Sequence, residues 1–446
     1  MLTWRKRIRM VLAVSIFLLM TMSFLPRPSI VFASEEKMTL VSWNWETEEK
    51  WNHKLEGSGF SEAFPNVKVT FVSLPYADLH TKFMTLLMSG VKKGLPDIVR
   101  ISPSQASGFI NLGAITDVTD RITPLKDKIP NGTWQEIHHT DGRIYKIPDD
   151  FIIDALAYRW DIFEEAGLPS DPKEVEKLFS TWDNVIEAGK KLKSLGVDTI
   201  TVDPTGGGWF GMFPMMGNQD TTGFFDRYGN VIFDSPYHVQ VAEIIKRIWD
   251  AGIAYKDEMG TPVYWENIKK GKIAISYYPQ YFDFIFLDFA PETAKKWRAV
   301  KFPAIIPGGR RLNSFDSCSL VIPKILDDDR KEMAWNYCVY MNLSTRGQLA
   351  HMETFPGACS SWLPALEIMK ENPSPVLDNQ NTYRLFLSWL DQEGIRTRIE
   401  PEAYNRANEA ATKAMYEILL DKKSAEVALM ETANKLRAEL ERERKR

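Results

Sequence analysis

The chain is poor in cysteine and lacks the short motifs that mark common enzyme classes. Its three cysteines, Cys318, Cys338 and Cys359, lie far apart, and no Cys-x-x-Cys spacing points to a metal. One disulfide with a free thiol and three buried thiols are both compatible with this count. No Gly-x-Ser-x-Gly elbow and no His-Glu-x-x-His sequence occurs. The sequence therefore predicts no enzyme of those classes, and no cofactor or metal.

Paired carboxylates give no clear indication of glycoside hydrolysis either. That reaction needs two carboxyl groups about 5–10 Å apart across a cleft. Successive residues of a strand point to opposite faces, so Asp149 and Asp150 are expected to face apart. His138 and His139 have no partner at ligand spacing and are predicted to lie at the surface. A secreted enzyme acting on glycans remains a weaker alternative.

The N-terminus has the pattern of a secretory signal. The basic segment Arg5 to Arg9 precedes an apolar run, Met10 to Leu25, that is short for a membrane span. Val31-Phe32-Ala33 then supplies a signal-peptidase site. We predict that residues 1–33 are a cleaved signal, with an uncleaved anchor as the alternative, and that the mature chain is periplasmic or extracellular. No cysteine precedes Cys318, so no lipobox is present.

The length of the chain indicates the number of its domains, and its charge indicates which partners are disfavoured. A chain of 446 residues exceeds what one core usually supports, so two domains are expected. The signal holds five of the 55 Lys and Arg and none of the 59 Asp and Glu, which leaves 50 bases and a net charge of −9. Such a negative body disfavours nucleic acids and anionic membranes as partners.

Strands and helices alternate along the first part of the chain. Met38 to Trp45 is an apolar strand, Val67 to Phe71 alternates as a second, and Gly94 to Ile101 leads into a third. This alternation predicts a parallel, doubly wound sheet. Ligands of such sheets bind beyond the carboxyl ends of the strands. The side chains expected at that rim are Trp43, Asn44, Trp45, Tyr76 and Ser102.

The stretch from Asp141 to Pro169 is the most informative part of the chain. Phe151 to Tyr158 is apolar and rich in strand formers, which predicts one long strand. Asp161 to Gly167 is predicted to form a short helix that a glycine ends. This stretch resembles a segment of the extracellular solute-binding proteins of ABC transporters, in the maltose-binding-protein-like branch that carries oligosaccharides. The matching positions are Gly142, Tyr145, Pro148, Asp150, Ala155, Tyr158, Asp161, Phe163, Ala166 and Gly167.

Later segments carry the same resemblance. Gly271 to Tyr281 is similar to a family strand that runs into the cleft, and Asn313 to Pro323 to a second crossover between lobes. Arg159 replaces the usual Asn, and Asp316 and Ser317 replace glycines at the second crossover. These departures add polar groups near the predicted hinge.

The resemblance implies the fold and the partners. It implies an α/β, two-lobed periplasmic-binding-protein-like fold, each lobe a mostly parallel sheet flanked by helices, joined by crossover hinge strands. Residues 36–150 and 317–357 would form lobe one, and residues 151–316 and 358–446 lobe two. The implied function is capture of a carbohydrate by a monomer that delivers it to the permease of an ABC transporter. A non-sugar solute, such as a glycerophosphodiester or a polyamine, is the alternative.

A sugar site needs flat aromatic faces for the ring and planar polar groups for its hydroxyls. Aromatic residues form 12% of the chain, and several of its 14 tryptophans fall at predicted strand ends or loops. The aromatic candidates are Trp43, Trp45, Trp209, Tyr264, Trp265, Tyr278 and Tyr281. Asp150 is the polar candidate that the family pattern implies, and Asp316 and Arg398 follow from their predicted hinge and cleft positions.

Overall fold

The computed structural model describes residues 37–203, 212–313 and 316–445, and Thr39–Arg446 forms one compact unit. The strands are β1 (Met38–Asn44), β2 (Val67–Ser73), β3 (Ile98–Ile101), β4 (Ile147–Ile152), β5 (Asp154–Arg159), β6 (Ile200–Thr201), β7 (Ala254–Tyr255), β8 (Ile275–Pro279), β9 (Trp297–Val300), β10 (Asp316–Val321) and β11 (Cys359–Ser360).

Helices separate most of these strands. They are α1 (Glu48–Ser58), α2 (Phe60–Ala63), α3 (Tyr76–Ser89), α4 (Pro103–Asn111), α5 (Thr119–Ile122), α6 (Asn131–Ile137), α7 (Trp160–Glu165), α8 (Pro172–Leu178), α9 (Trp182–Ser194), α10 (Met212–Gly217), α11 (Pro236–Asp250), α12 (Pro262–Lys269), α13 (Phe282–Phe289), α14 (Asp328–Asn342), α15 (Thr345–Thr354), α16 (Leu363–Met369), α17 (Thr382–Glu393), α18 (Tyr404–Leu419) and α19 (Ala425–Arg444). Two 3-10 turns, Thr123–Lys128 and Pro291–Thr293, complete the described elements.

The first sheet has six strands in the order β11-β4-β10-β3-β1-β2. β1 and β3 are parallel, with Ser42 opposite Ile98, and β10 runs antiparallel to both β3 and β4. Helices α3 and α4 cover this sheet because their apolar faces meet the buried side chains of β1 and β3. The resulting core contains Trp43, Leu79, Phe83, Val99, Ile101 and Phe109.

The second part of the unit contains a sheet in the order β8-β5-β9 and the pair β6-β7. β5 is antiparallel to both of its neighbours, while β6 and β7 are parallel. The α/β class is therefore confirmed, but the expectation of mostly parallel sheets is not met around β5 and β10. The chain passes from the first sheet to the second between β4 and β5, and it comes back to the first sheet at β10. A strand that reverses direction in this way pairs antiparallel with its neighbours.

The predicted single strand from Phe151 to Tyr158 is wrong in one respect. The chain forms two strands that meet at Ile153, and these strands belong to different sheets. Gln280 holds the junction: its Oε1 accepts from Ile153 N at 2.6 Å, and its Nε2 donates to Phe151 O at 2.6 Å. The buried amide thus replaces the sheet hydrogen bonds that the backbone loses at the break.

The hydrogen bonds of Gln280 at the break in the strand are expected to stabilise the protein. We expect Gln280→Leu to destabilise the protein by about 1–3 kcal/mol for each backbone group that loses its partner. Urea unfolding followed by circular dichroism measures this. Gln392→Leu, on the exposed end of α17, is the matched control and is expected to change stability by less than about 0.5 kcal/mol. Equal midpoints for the two variants would show that Gln280 does not stabilise the junction.

The predicted end of the short helix after β5 is confirmed. Helix α7 is followed by Gly167 in the left-handed conformation, φ +64°, which ends it. Cys318, Cys338 and Cys359 are all buried and form no disulfide with one another. No helix within the described ranges combines the length and the apolar character that a membrane span requires.

Candidate ligand-binding site

Arg100, on β3, organises a buried charged cluster that the sequence did not reveal. Its Nε donates to Asp149 Oδ2 at 2.8 Å, its Nη2 to Asp150 Oδ2 at 2.8 Å, and its Nη1 to Glu46 Oε1 at 2.7 Å. Burial opposes the charge on Arg100, but Glu46 and the two aspartates outweigh it and raise the pKa well above its ordinary value. A planar guanidinium with several fixed donors suits this role, which a lysine could not fill.

The expectation that Asp149 and Asp150 face apart is wrong. The pairing of β10 with β4 shifts register here: Cys318 lies opposite Asp150, while Ser319 lies opposite Pro148. Asp149 is therefore the extra residue of a β-bulge, and a bulge interrupts the regular alternation of side chains. Both carboxylates consequently reach Arg100.

Lys54, Asn342 and His351 complete the surroundings of Asp149. Asn342 Nδ2 donates to Asp149 Oδ1 at 2.5 Å, and Lys54 Nζ lies 3.5 Å from the same oxygen. Burial raises the pKa of Asp149, but Lys54, His351 and Arg100 outweigh it and lower the pKa below its ordinary value. Asp149 therefore stays ionised inside the protein.

Asp149, Asp150 and His351 bring ligand-type atoms within 4.8 Å of one another. Arg100 and Lys54 already pair with these carboxylates, and the two nitrogens of His351 face different carboxylates. The charges of the two carboxylates are thus already compensated by side chains of the protein. The arrangement is that of an ion-pair network.

An aromatic platform lies beside this network. The guanidinium of Arg100 lies 4.4 Å from the ring centre of Trp45, and the rings of Trp45 and Tyr76 meet edge to face at 5.4 Å. Tyr76 and Ser102 share a hydrogen bond of 2.6 Å between their hydroxyl oxygens. Trp45 and Tyr76 are half-buried, so each retains exposed ring surface. The candidates Trp45, Tyr76, Ser102 and Asp150 therefore lie together at the carboxyl ends of β1 and β3.

Two oxygen atoms of the cluster are enclosed by protein and lack a hydrogen-bond partner among the described residues. Asp150 Oδ1 and Glu46 Oε2 are buried and have no hydrogen-bond partner within the described part of the chain. Their second oxygens are fixed by Arg100. Two unpaired acceptors thus lie close to an aromatic face, and a ligand rich in hydroxyl groups would satisfy them after the enclosing groups move aside.

Two further candidates, both in β1, have almost no exposed surface with which to contact a ligand. Trp43 is 4% exposed and packs in the core of the first sheet. Asn44 is buried, and its amide donates to the hydroxyl of Ser42 at 3.2 Å. Alternation explains this outcome, because Trp43 occupies the buried face of the strand and Trp45 lies beyond its end.

Three aromatic candidates from the second part of the unit also belong to a core. Tyr264 and Tyr278 are fully buried, and Trp265 is 5% exposed. The hydroxyl of Tyr264 bonds to Ser276 at 3.0 Å, and that of Tyr278 donates to Asp283. These rings are already enclosed by protein, so they offer no face to a ligand.

Tyr281 and Arg398 are the candidates of this part that keep exposed surface. Tyr281 is half-buried against Phe282 and Phe284. Arg398 Nε lies 2.8 Å from Glu400 Oε1, and Ser107 Oγ, from α4, donates to Glu400 O at 3.1 Å. The segment with Arg398 therefore contacts the side of the protein that holds Trp45.

Tyr277 is a residue that sequence reasoning missed. It is half-buried, whereas its neighbour Tyr278 is enclosed, because successive strand residues face opposite sides. Alternation alone does not single out Tyr277, because Ile275 on the same face of the strand and Tyr278 on the opposite face are both buried. Trp209 lies outside the described residues. Asp316 is described only in its backbone, which pairs with Ile152.

Comparison with known protein families identifies the family to which this chain belongs. The model of the family described as bacterial extracellular solute-binding protein matches residues 58–366, which is more than half of the chain. The chain belongs to the bacterial extracellular solute-binding proteins. The predicted resemblance is confirmed at the level of the family.

Curated relatives of this solute-binding protein are more distant. It is 26% identical over 294 residues to an arabinooligosaccharide-binding protein of Halalkalibacterium halodurans, covering 64% of this chain and 63% of the relative. A lactose-binding protein of Rhizobium radiobacter is 27% identical over 198 residues, covering 42% and 44%. The chain thus spans less than two thirds of the length of these relatives.

Solved structures agree in fold. A solute-binding protein of Thermotoga lettingae bound to α-D-tagatose aligns with a TM-score of 0.73 at 17% identity, covering 89% of this chain and 98% of that one. The maltose-bound MalE3 of T. maritima aligns with a TM-score of 0.72 at 18% identity, covering 90% and 99%. These matches confirm the two-lobed α/β fold of this solute-binding protein.

Proposed function

We propose that the mature protein captures a carbohydrate, in particular an oligosaccharide, between its two lobes and delivers it to the permease of an ABC transporter. The observation that carries this proposal is the half-buried ring of Trp45 beside the unpaired, enclosed acceptors Asp150 Oδ1 and Glu46 Oε2. A sugar ring can stack on the indole while its hydroxyls donate to the carboxylates. The arabinooligosaccharide- and lactose-binding relatives support the same ligand class.

The lobes are proposed to follow the predicted boundaries, 36–150 with 317–357 and 151–316 with 358–446. The break at Ile153 lies close to the first boundary. β10 and β11 both pair with β4, which supports two further crossings of the chain there. Leu366 and Met369 pack with the core around β5 and β8, as the last boundary requires.

The proposed site uses residues from both lobes. Trp45, Tyr76, Ser102, Asp150 and Glu46 would supply the lobe-one side. Tyr277, Tyr281 and Arg398 would supply the lobe-two side. Contacts made to both sides favour the closed state, so ligand binding and lobe closure are coupled.

Residues 1–33 are proposed to be removed on export, and the mature chain to act outside the cytoplasm as a monomer. An extracellular family supports this location. Delivery to the permease requires only that the closed, loaded form be recognised.

A thermal-shift screen of residues 34–446 against neutral oligosaccharides tests the function. A sugar at one hundred times its Kd is expected to stabilise the protein by about 2.7 kcal/mol. A stabilising sugar recovered chemically unchanged supports a receptor. A consumed sugar would instead indicate an enzyme, and no shift with any sugar would contradict carbohydrate binding and favour a glycerophosphodiester or polyamine.

A further inference from the structure

An ion pair joins helix α1, in the proposed lobe one, to helix α13, in the proposed lobe two. Lys50 Nζ donates to Asp288 Oδ2 at 2.7 Å, although the two residues are 238 positions apart in the sequence. Their side chains are 24% and 38% exposed, so water only partly surrounds the pair. Within the described part of the chain, neither side chain takes part in a second ion pair.

Aromatic rings from both proposed lobes lie against the ammonium group of Lys50. The nitrogen is 4.8 Å from the ring centre of Phe284, on α13, and 5.7 Å from that of Phe355, which directly follows α15. The two rings meet edge to face at 5.3 Å. A cation is attracted to aromatic faces, and the rings also exclude water, which strengthens the attraction between Lys50 and Asp288. The ammonium group therefore holds groups of both lobes together.

The pair lies beside the proposed boundary after residue 357, where the chain passes from lobe one to lobe two. Phe284 N donates to Pro356 O at 3.0 Å, so the start of α13 is fixed to the chain at this boundary. Asp288 lies four residues further along the helix, about 6 Å from Phe284 along the helix axis. A rotation of the lobes about the boundary would therefore move Asp288 away from Lys50.

A second contact between the proposed lobes involves α4. Ser107 Oγ, on this helix, donates to Glu400 O, in lobe two, at 3.1 Å. Helices α1 and α4 begin within four residues of the ends of β1 and β3, so both contacts lie at the rim that carries the candidate site. Both contacts require the lobes to approach each other there. The enclosed oxygens Asp150 Oδ1 and Glu46 Oε2 agree with such a closed arrangement.

We propose that the Lys50–Asp288 pair is a latch that holds the two lobes closed in the ligand-free protein and breaks when they separate to admit a solute. The latch favours the closed form, and contacts of a ligand with both lobes form only in that form. Ligand entry and release are then both slowed by the same ion pair. This inference rests on the two lobes of the proposed function, but the arrangement of the lobes can be measured without a ligand.

Small-angle X-ray scattering of the ligand-free mature protein tests the latch directly. We expect Lys50→Met and Asp288→Ala each to increase the radius of gyration, because the lobes separate more often. The double variant should expand no further than either single variant, since both substitutions remove the same contact. Saturation with the sugar found in the screen should return all variants to one radius of gyration.

Binding kinetics supply a second, independent signature. Loss of the latch is expected to weaken closing about sixfold, both with and without a ligand. The empty site is then open more often, so association should become about twofold faster, release about sixfold faster and affinity about threefold weaker. Stopped-flow tryptophan fluorescence with the same sugar measures both rates. Removal of an ordinary ligand contact would not make association faster.

Lys190→Met is the matched control. Lys190 Nζ pairs with Glu187 Oε1 at 2.6 Å, and both residues lie on α9, within one lobe. The substitution removes an ammonium group from a helix, as Lys50→Met does, but it breaks no contact between lobes. The radius of gyration and both binding rates are therefore expected to stay unchanged.

Several results would overturn the latch. An unchanged radius of gyration in Lys50→Met and Asp288→Ala would do so, as would a double variant that expands by the sum of the two single effects. Weaker binding of Lys50→Met with slower association would identify Lys50 as a ligand contact instead.

The latch and the proposed function fail separately. If no sugar binds but both variants expand, the proposed function fails and the latch stands. If a sugar binds and the variants change neither the radius of gyration nor the binding rates, the function stands and the latch is refuted.

Discussion

Arg100→Met is expected to destabilise the protein by about 3–5 kcal/mol, because it removes the cation that pairs with three buried or half-buried carboxylates. Asp149 would keep its contacts with Lys54 and Asn342, while Asp150 and Glu46 would lose the guanidinium that pairs with them. Methionine fills a similar volume, so the loss reports the charge and its hydrogen bonds more than a cavity. Chemical unfolding of both proteins at pH 7 measures the difference.

Arg121→Met is the control for removing an arginine from an ion pair. Arg121 pairs with Glu332, and both side chains are about half exposed, 45% and 53%. Exposed pairs contribute little, so we expect a change of at most about 1 kcal/mol. Arg100→Lys should fall between the two, because lysine keeps the charge and loses the fixed fork of donors. Similar stability for Arg100→Met and Arg121→Met would show that the cluster does not depend on Arg100.

Trp45→Ala is expected to weaken ligand binding and Trp43→Ala to lower the stability of the fold, although the two residues are only two positions apart. Trp45 is half-buried on the aromatic platform, so its truncation should weaken sugar binding by at least about 2 kcal/mol, roughly 30-fold in Kd. Trp43 is 4% exposed in a core, so its truncation should cost about 3–5 kcal/mol of stability. Calorimetric titration and urea unfolding of both variants measure the two effects.

The pair provides its own control, since each variant removes one indole from the same end of β1. If Trp45→Ala binds as the unmodified protein does, the platform is not part of the site. Weaker binding by Trp43→Ala at a temperature where it remains folded would show that stability, and not contact, governs affinity.

The first strands along the chain could be predicted because they depend on local patterns, and the two-lobed fold could be predicted from the family resemblance. Apolar alternation marks β1 and β2, and glycine ends α7 at Gly167. The break at Ile153 could not be predicted, since both flanking segments are strand formers. It depends on Gln280, more than one hundred residues away, whose amide satisfies the backbone there.

Some residues of the candidate site could likewise be predicted from the sequence, and others could not. Trp45, Tyr76 and Asp150 follow from strand ends and from the family pattern, and the structure places them together. Arg100 could not be identified because nothing in Ile98–Ile101 distinguishes a buried arginine from one at a strand edge. The bulge at Asp149 was hidden too, since it arises from the register of β10, a strand distant in sequence. The prediction that Tyr264 and Tyr278 contact a ligand is not met, because aromatic residues near strands also fill cores.

The most direct test of the proposed site is a crystal structure of residues 34–446 with the sugar that gives the largest thermal shift. We expect a sugar ring against the indole of Trp45, with hydroxyls donating to Asp150 Oδ1 and Glu46 Oε2. A sugar bound elsewhere, with Trp45 and Asp150 free of contact, would contradict it.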